Sequence, residues 1–287
     1  MKKAFAILTV ICTIVILWYG AAVKMNAKWS LEAASRAGVT LTTSELISKT
    51  LNQERPVLPA PHQVASEFWK TTIEKKITSK RSLIFHGWIT LRATMLGFLI
   101  GTFGGIILSV GILHIRAMDM GFMPWAIASQ TIPILAIAPM IIVVLNSVGI
   151  QGLIPKAIIS AYLSFFPVLV GMVKGLRSPD QMQLDLLSTY HASKPETFFK
   201  LRLPSSMPYL FTSMKVGIAA SLVGTIVGEL PTGAIRGLGA RLLTGSYYGQ
   251  TIQMWAALFA AALLAASLVA LVGLAEKAVM KRMGMDR

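Results

Sequence analysis

Six stretches of about 20 predominantly apolar residues run through this chain of 287 residues, and a helix of that length is what crosses a hydrocarbon core. They lie at about Ala4–Val23, Ile89–Leu113, Phe122–Val148, Ile154–Val173, Tyr209–Leu230 and Ile252–Leu274. Inside lipid each backbone N–H and C=O must be satisfied within its own segment, so such stretches fold as helices. The chain is therefore expected to be all-α, a polytopic membrane protein with six transmembrane helices. Composition agrees: only 14% of its residues are charged, against about 25% in a soluble domain.

The charge that remains is basic, with 27 Lys and Arg against 12 Asp and Glu. A nucleic-acid binder would gather that charge on one face of a polar domain. Here it flanks the apolar stretches, which points to membrane lipid and to no nucleic acid. Taking the N-terminus as inside, the inner segments hold Lys2, Lys3, Arg116, Lys174, Arg177, Lys194, Lys200, Arg202, Lys277, Lys281, Arg282 and Arg287, while the short outer loops hold Lys156, Arg236 and Arg241. That bias places both termini in the cytoplasm. The first apolar run includes the bulky Trp18 and Tyr19 and reaches Val23, so residues 1–23 are expected to be an uncleaved anchor rather than a signal peptide. The lone Cys12 lies within it and says nothing about redox compartment.

Residues 24–82 form a long, polar outer segment, broken at Pro56, Pro59 and Pro61. After the prolines, Val64, Phe68 and Trp69 line one side of a helix that would suit a membrane interface. A plain connecting helix explains the pattern as well and is the reading adopted. Residues 83–280 hold the remaining five spans, and 281–287 a cytoplasmic tail.

The most informative stretch joins the fourth and fifth spans. Ser178-Pro179-Asp180-Gln181 has the form of a capping box with proline at the first helical position, and Ser193-Lys194-Pro195-Glu196 repeats it. Two short helices are predicted, at about 179–190 and 194–201, separated by a tight turn at His191 and Ala192. Pro204 and Pro208 then bracket the return to the membrane. A merely connecting loop needs no such order, whereas a docking loop does: Leu184, Leu187 and Tyr190 would form an apolar ridge for a groove in another protein. An idle hairpin on the membrane surface is the alternative.

The run Asp185-Leu186-Leu187-Ser188-Thr189-Tyr190-His191-Ala192-Ser193, followed by Phe198 to Pro204, resembles the EAA loop of binding-protein-dependent ABC importer permeases. By position Asp185 stands for the family's Glu, Leu186 and Leu187 for its two alanines, and His191 for its Gly. Ala192, Ser193, Leu203 and Pro204 match commonly seen residues. Other stretches are similar to the nitrate, sulfonate and taurine branch: Leu58-Pro59-Ala60-Pro61, Thr90-Leu91-Arg92, Ile132 to Pro139, Gly228-Glu229 and Gly237-Leu238-Gly239. The likeness covers about residues 58–275.

The resemblance implies a permease subunit of the bacterial inner membrane that carries a small solute, such as a sulfonate, taurine or nitrate-like anion. Its implied partners are a cytoplasmic ABC ATPase dimer, an extracytoplasmic solute-binding protein and a second permease copy, most simply an identical one. The loop with Ser178, Asp185, Leu187, Ser188, Tyr190, His191, Ala192, Ser193 and Pro204 would couple to the ATPase. The chain has no Gly-x-x-x-x-Gly-Lys-Ser/Thr phosphate loop. ATP hydrolysis is therefore assigned to the partner, and neither enzymatic activity nor a cofactor or metal is expected here. Two departures stand out. His191 replaces a glycine where a left-handed residue is favoured, at a cost on the order of 1 kcal/mol, and two leucines thicken the docking surface.

Within the membrane, Gly97, Gly101 and Gly105 recur every four residues, as do Gly224 and Gly228, which lets helices approach closely. Packing within the chain and a seam between two permease copies are both open to them, and the former is preferred. Pro133 and Pro139 should bend the third span and open backbone groups to a cavity. Glu229, an acid within a span, is a functional candidate. The bland alternative is a bond to Thr225 or Thr232, or a pair with Arg236. Gln130, Thr131, Asn146 and Ser164 complete the candidate translocation path, with plain helix–helix bonding equally open. A gradient-driven secondary transporter would show inverted repeats and coupled buried ionisable groups, and a membrane scaffold would not need the capped loop.

Overall fold

The structure is a computed structural model that describes residues 2–230 and 236–285. Twelve α-helices follow one another among these residues, without strands. Two compact units emerge, Met1–His86 with Ala240–Ala261 and Gly87–Gly239 with Ala262–Arg287.

In the first unit α1 (Lys2–Arg36) runs on past Val23 without a break. At 1.5 Å per residue its 35 residues reach about 52 Å, well beyond a hydrocarbon core of about 30 Å. The excess turn after turn presents Ala22, Asn26, Ser30 and Ala34, spaced by four and all buried. Against this stripe lie α2 (Thr43–Leu51) and the proline-rich stretch that leads to α3 (Pro61–Trp69). The Asn26 amide holds that stretch. Its Nδ2 donates to the carbonyls of Thr50 (3.2 Å) and Leu58 (2.9 Å), and its Oδ1 accepts from the N–H groups of Val57 (2.8 Å) and Leu58 (3.2 Å). Gln53 donates to the Ser30 hydroxyl at 2.6 Å, and Trp18 Nε1 to the Pro59 carbonyl at 3.0 Å. Thr251, at the start of the last helix, donates to the Pro56 carbonyl at 2.6 Å. What reads as a breaker in sequence is thus a fixed element. On α3 the inward residue is Val64, whereas Trp69 turns outward.

In the second unit α7 (Leu153–Leu176) lies between α4 (Leu83–His114) and α10 (Leu203–Glu229), the helix that follows the 178–202 segment. The small residues set these contacts. A Cβ on Gly97 would strike Ser160 and the Ala157 carbonyl, and one on Gly101 would strike Ser164 and the Ala161 carbonyl. A Cβ on Gly105 would lie 3.0 Å from the backbone nitrogen of Leu169. Gly224 and Gly228 approach α7 from α10, at Ser160 and Ile159. All five glycines therefore pack within the chain. A hydroxyl seam runs through the same contact: Ser160 Oγ lies 2.5 Å from Ser221 Oγ, Ser221 donates to the Thr94 carbonyl at 2.9 Å, and Thr94 donates to Thr225 at 3.0 Å.

The third apolar stretch is not one straight span. It folds as α5 (Arg116–Ser129) and α6 (Ile134–Ser147), bent by 100° at the break. Pro133, with no N–H to donate, ends any continuous ladder and caps α6 in extended geometry. Pro139, in contrast, sits inside α6 and breaks nothing. Each 14-residue helix is about 21 Å long and falls short of the core alone. α5 packs Ala126, Met118 and Phe122 onto Ile112, Leu169 and Val173. Among the described residues five helices are long and apolar enough to cross a membrane, or six when this bent pair counts as one span. The long α12 (Thr251–Arg282) brings Leu264 and Leu268 onto Phe98 and Ile218, and Lys215 of α10 pairs with its Glu276.

Two outcomes follow from this packing. Gly101→Val should lower stability by about 1–3 kcal/mol through overpacking, read as a lower thermal unfolding midpoint in detergent. Gly104→Val, whose added Cβ meets nothing within 4 Å, should leave the midpoint in place. Asn26→Leu strands four backbone groups, at about 1–3 kcal/mol for each one left without water. Faster cleavage by a glutamate-specific protease after the exposed Glu54 checks this, and an unchanged rate would show that Asn26 is not the clamp.

Candidate functional site

The segment between α7 and α10 is rigid, and local chemistry makes it so. α8 (Gln181–Thr189) begins two residues later than the capping grammar predicts. Asp180 is the cap: its Oδ1 accepts from the Gln181 N–H at 2.7 Å, while Gln183 Oε1 accepts from the Asp180 N–H at 3.2 Å. Ser178 is unavailable, because its hydroxyl donates to the Gly175 carbonyl at 2.7 Å and closes α7.

At the other end the chain turns by a Schellman motif, with Ala192 N–H donating to the Leu187 carbonyl (3.0 Å) and His191 N–H to that of Ser188 (2.9 Å). His191 has φ +53°, the one non-glycine positive φ among the described residues. Ser193 then caps α9 (Lys194–Thr197) in a full box: its N–H donates to Glu196 at 2.9 Å and its hydroxyl accepts from the Glu196 N–H at 3.4 Å.

α9 passes through a π-turn at Phe198–Arg202 straight into α10. Pro204 and Pro208 therefore lie within a helix and do not flank a loop. Arg202 Nη1 donates to the Leu176 carbonyl at 2.9 Å, tying this helix to the last turn of α7.

The exposed ridge of α8 differs from the predicted one. Leu184 and Leu187 are half-buried, while Met182 (77% exposed), Leu186 (56%) and Tyr190 (77%) point outward. They stand four residues apart and so share one helix face. Asp185 is exposed beside them and accepts from Gln181 Nε2 at 2.8 Å; Ser188 is exposed as well.

The residues proposed for a translocation path are not gathered in one place. Gln130 and Thr131 lie at the α5–α6 bend, where Thr131 donates to the Ala128 carbonyl at 2.7 Å. Thr131, Pro133, Pro139 and Asn146 are exposed along α5–α6, whereas Ser164 is wholly buried in the α4–α7 contact. A groove of about 610 Å³ does open between α7 and α10. It is walled by Phe166, Pro167, Val170, Pro208, Tyr209 and Val216, with Lys174 at one end. Lys174 also borders an adjoining groove that holds Arg177. Arg177 is already paired with Asp119 at 2.9 Å.

Glu229 is fully buried, and among the described residues its partners include three that were not considered from sequence. Thr225 donates instead to the Ser221 carbonyl, and Thr232 lies outside the described residues. The carboxylate accepts from the Thr90 hydroxyl at 3.0 and 3.1 Å and from the Gly239 N–H at 2.8 Å, and lies 3.6 Å from Lys156 Nζ. Lys156 also reaches the Arg236 carbonyl at 3.4 Å, so Arg236 contributes its backbone to the cluster. Thr90 in turn accepts from the Leu238 N–H at 2.9 Å.

A Cβ on Gly237, at φ +124°, would collide with the carboxylate, and one on Gly239 would strike the Ile226 carbonyl and the Glu229 Cβ. Thr90-Leu-Arg and, more than 130 residues later, Gly228-Glu229 and Gly237-Leu-Gly239 thus meet at one carboxylate. Lys156 escapes a reading of the sequence because, at the very start of the fourth apolar run, it passes for a loop charge. Only its burial in the fold reveals its role.

Residues 97–285 match the protein family described as binding-protein-dependent transport system inner membrane component. The chain is 30% identical over 225 residues to the riboflavin transport system permease protein of Chloroflexus aurantiacus, covering 78% of this chain and 80% of that one. It is 29% identical over 184 residues to the formylaminopyrimidine transport permease protein of Halalkalibacterium halodurans, covering 64% and 68%. To the putative aliphatic sulfonates transport permease protein of Bacillus subtilis it is 24% identical over 227 residues, 78% of each chain. With the family matched across most of the chain and the helical fold in place, this protein belongs to the binding-protein-dependent ABC importer permeases, multi-pass proteins of the inner membrane.

Proposed function

We propose that this chain forms the translocation path of an ATP-driven importer and that the 178–202 segment is its contact with a cytoplasmic ATPase dimer. The observation that carries this reading is the doubly capped segment with Met182, Leu186 and Tyr190 projecting from it. Three large apolar side chains on a rigid, exposed helix fit a groove in a partner. The partner's push would pass directly to α7 and α10, since Arg202 holds the end of α7 and α9 continues into α10. Both termini lie on the ATPase side, as the basic inner segments support. A second, identical copy and an extracytoplasmic solute-binding protein complete the assembly.

The solute is a small organic molecule with an anionic group, such as a sulfonate. The groove between α7 and α10 supports this, being mostly apolar, with Thr212 and Ser213 in its wall and a lysine at its end. Riboflavin and formylaminopyrimidine in the relatives' names favour a heterocycle as the second reading. Uptake of labelled sulfonates and pyrimidines into proteoliposomes holding the full importer separates the two.

Met182→Arg with Leu186→Arg should reduce ATPase co-purification at least tenfold, a loss of about 1.4 kcal/mol that is smaller than one hot-spot contact, while the variant keeps its elution profile. Equal recovery of the ATPase with wild type and variant would remove the docking role. His191→Gly should relieve the left-handed strain and stabilise the turn by about 1 kcal/mol. Slower amide hydrogen exchange at Ala192 would show it; faster exchange would mean that the imidazole itself holds the turn.

A further inference from the structure

The segment that follows α3 carries a surface that the importer reading does not use. Trp69, Ile73 and Ile77 stand four residues apart and are each more than half exposed. Around them are Lys70, Lys75, Lys76, Lys80 and Arg81, with Glu74 the one acid between Lys70 and Arg81. Among the described residues no ion pair engages any of these five cations.

The surface is also held in shape. Helix α3 continues as a π-turn over Lys70–Glu74, and the Thr71 hydroxyl donates to the Glu67 carbonyl at 2.6 Å. Turns follow, with Ser79 N–H donating to the Lys76 carbonyl (2.8 Å) and Ser82 N–H to that of Ser79 (2.9 Å). The His86 ring bonds the Lys80 carbonyl at 2.9 Å.

We propose that residues 69–81 are a binding site for anionic phospholipid, with Trp69, Ile73 and Ile77 entering the acyl boundary and the cations meeting the headgroup phosphates. Position argues for this occupant. The segment runs into α4 at Leu83, and α4 is apolar and long enough to cross a membrane, so residues 69–81 lie next to the end of a span, close to a bilayer surface. Tryptophan belongs at that depth, and a basic surface with large apolar side chains is what binds an anionic interface. An acidic soluble protein would satisfy the lysines yet would have to cover three bulky apolar groups as well. The inference requires only that α4 spans a membrane, and it would survive failure of the ATPase-docking test.

The full chain, reconstituted in nanodiscs of mixed phosphatidylcholine and phosphatidylglycerol, tests it. One lipid or the other carries brominated acyl chains at the same mole fraction, and the Trp69 signal is the difference between wild type and Trp69→Phe. Brominated phosphatidylglycerol should quench that signal about twice as strongly as brominated phosphatidylcholine, and raising salt to about 0.5 M should erase the excess as screening shortens. Replacing Lys75, Lys76, Lys80 and Arg81 by glutamine should abolish the excess while leaving quenching by phosphatidylcholine. Equal quenching by the two lipids in the wild type, or an excess indifferent to salt, would overturn the proposal. No quenching by either would place the surface off the membrane and return it to an acidic protein partner.

Discussion

The approach of α4 and α10 to α7 is the contact on which the Gly87–Gly239 unit depends. Between helices in lipid there is no hydrophobic gain, because acyl chains are as apolar as leucine. Association must come from close packing and from hydrogen bonds. Both are present at the same place: Gly97, Gly101, Gly224 and Gly228 remove the side chains that would hold the helices apart, and Ser160, Ser221, Thr94 and Thr225 bond across the narrowed gap. Neither half works alone. Larger residues would lengthen the hydroxyl bonds beyond use, and without the hydroxyls the bare glycine faces would gain little.

This frame gives the 178–202 segment its mechanical meaning. A segment fastened only at its ends would absorb motion, but here the Arg202–Leu176 bond and the uninterrupted passage from α9 into α10 fasten it to the two most tightly packed helices. Its two caps each take up one orphan N–H, that of Gln181 in α8 and of Glu196 in α9, and the Schellman turn takes up the Leu187 and Ser188 carbonyls at the end of α8. The strain at His191 is the one local rule that this segment breaks.

The Glu229 cluster answers a different demand. A carboxylate removed from water is costly unless paired and hydrogen-bonded, and here Lys156, Thr90 and the Gly239 N–H supply both kinds of partner. Two glycines then follow from geometry, since only a residue without Cβ passes the carboxylate at 237, or the Ile226 carbonyl and the Glu229 Cβ at 239. The functional candidate read from sequence is thus also the anchor of a backbone turn.

What the sequence determined by itself is local. Length and apolarity set the spans, because a lipid-buried backbone has no choice but a helix. The Ser193–Glu196 box and the left-handed turn at His191 were legible because each is decided within a few residues. The tertiary structure decided whatever depended on competition or distance. Asp180 displaced Ser178 as cap because the end of α7 claims the serine hydroxyl. The outward ridge became Met182, Leu186 and Tyr190 because Leu184 and Leu187 turn toward the protein, a rotation that alternating leucines leave open. Pro133 turned one apolar stretch into two helices at 100°. Lys156 found Glu229 only because folding brings residues 73 apart in sequence to within 3.6 Å, and no pattern of neighbours records such a meeting.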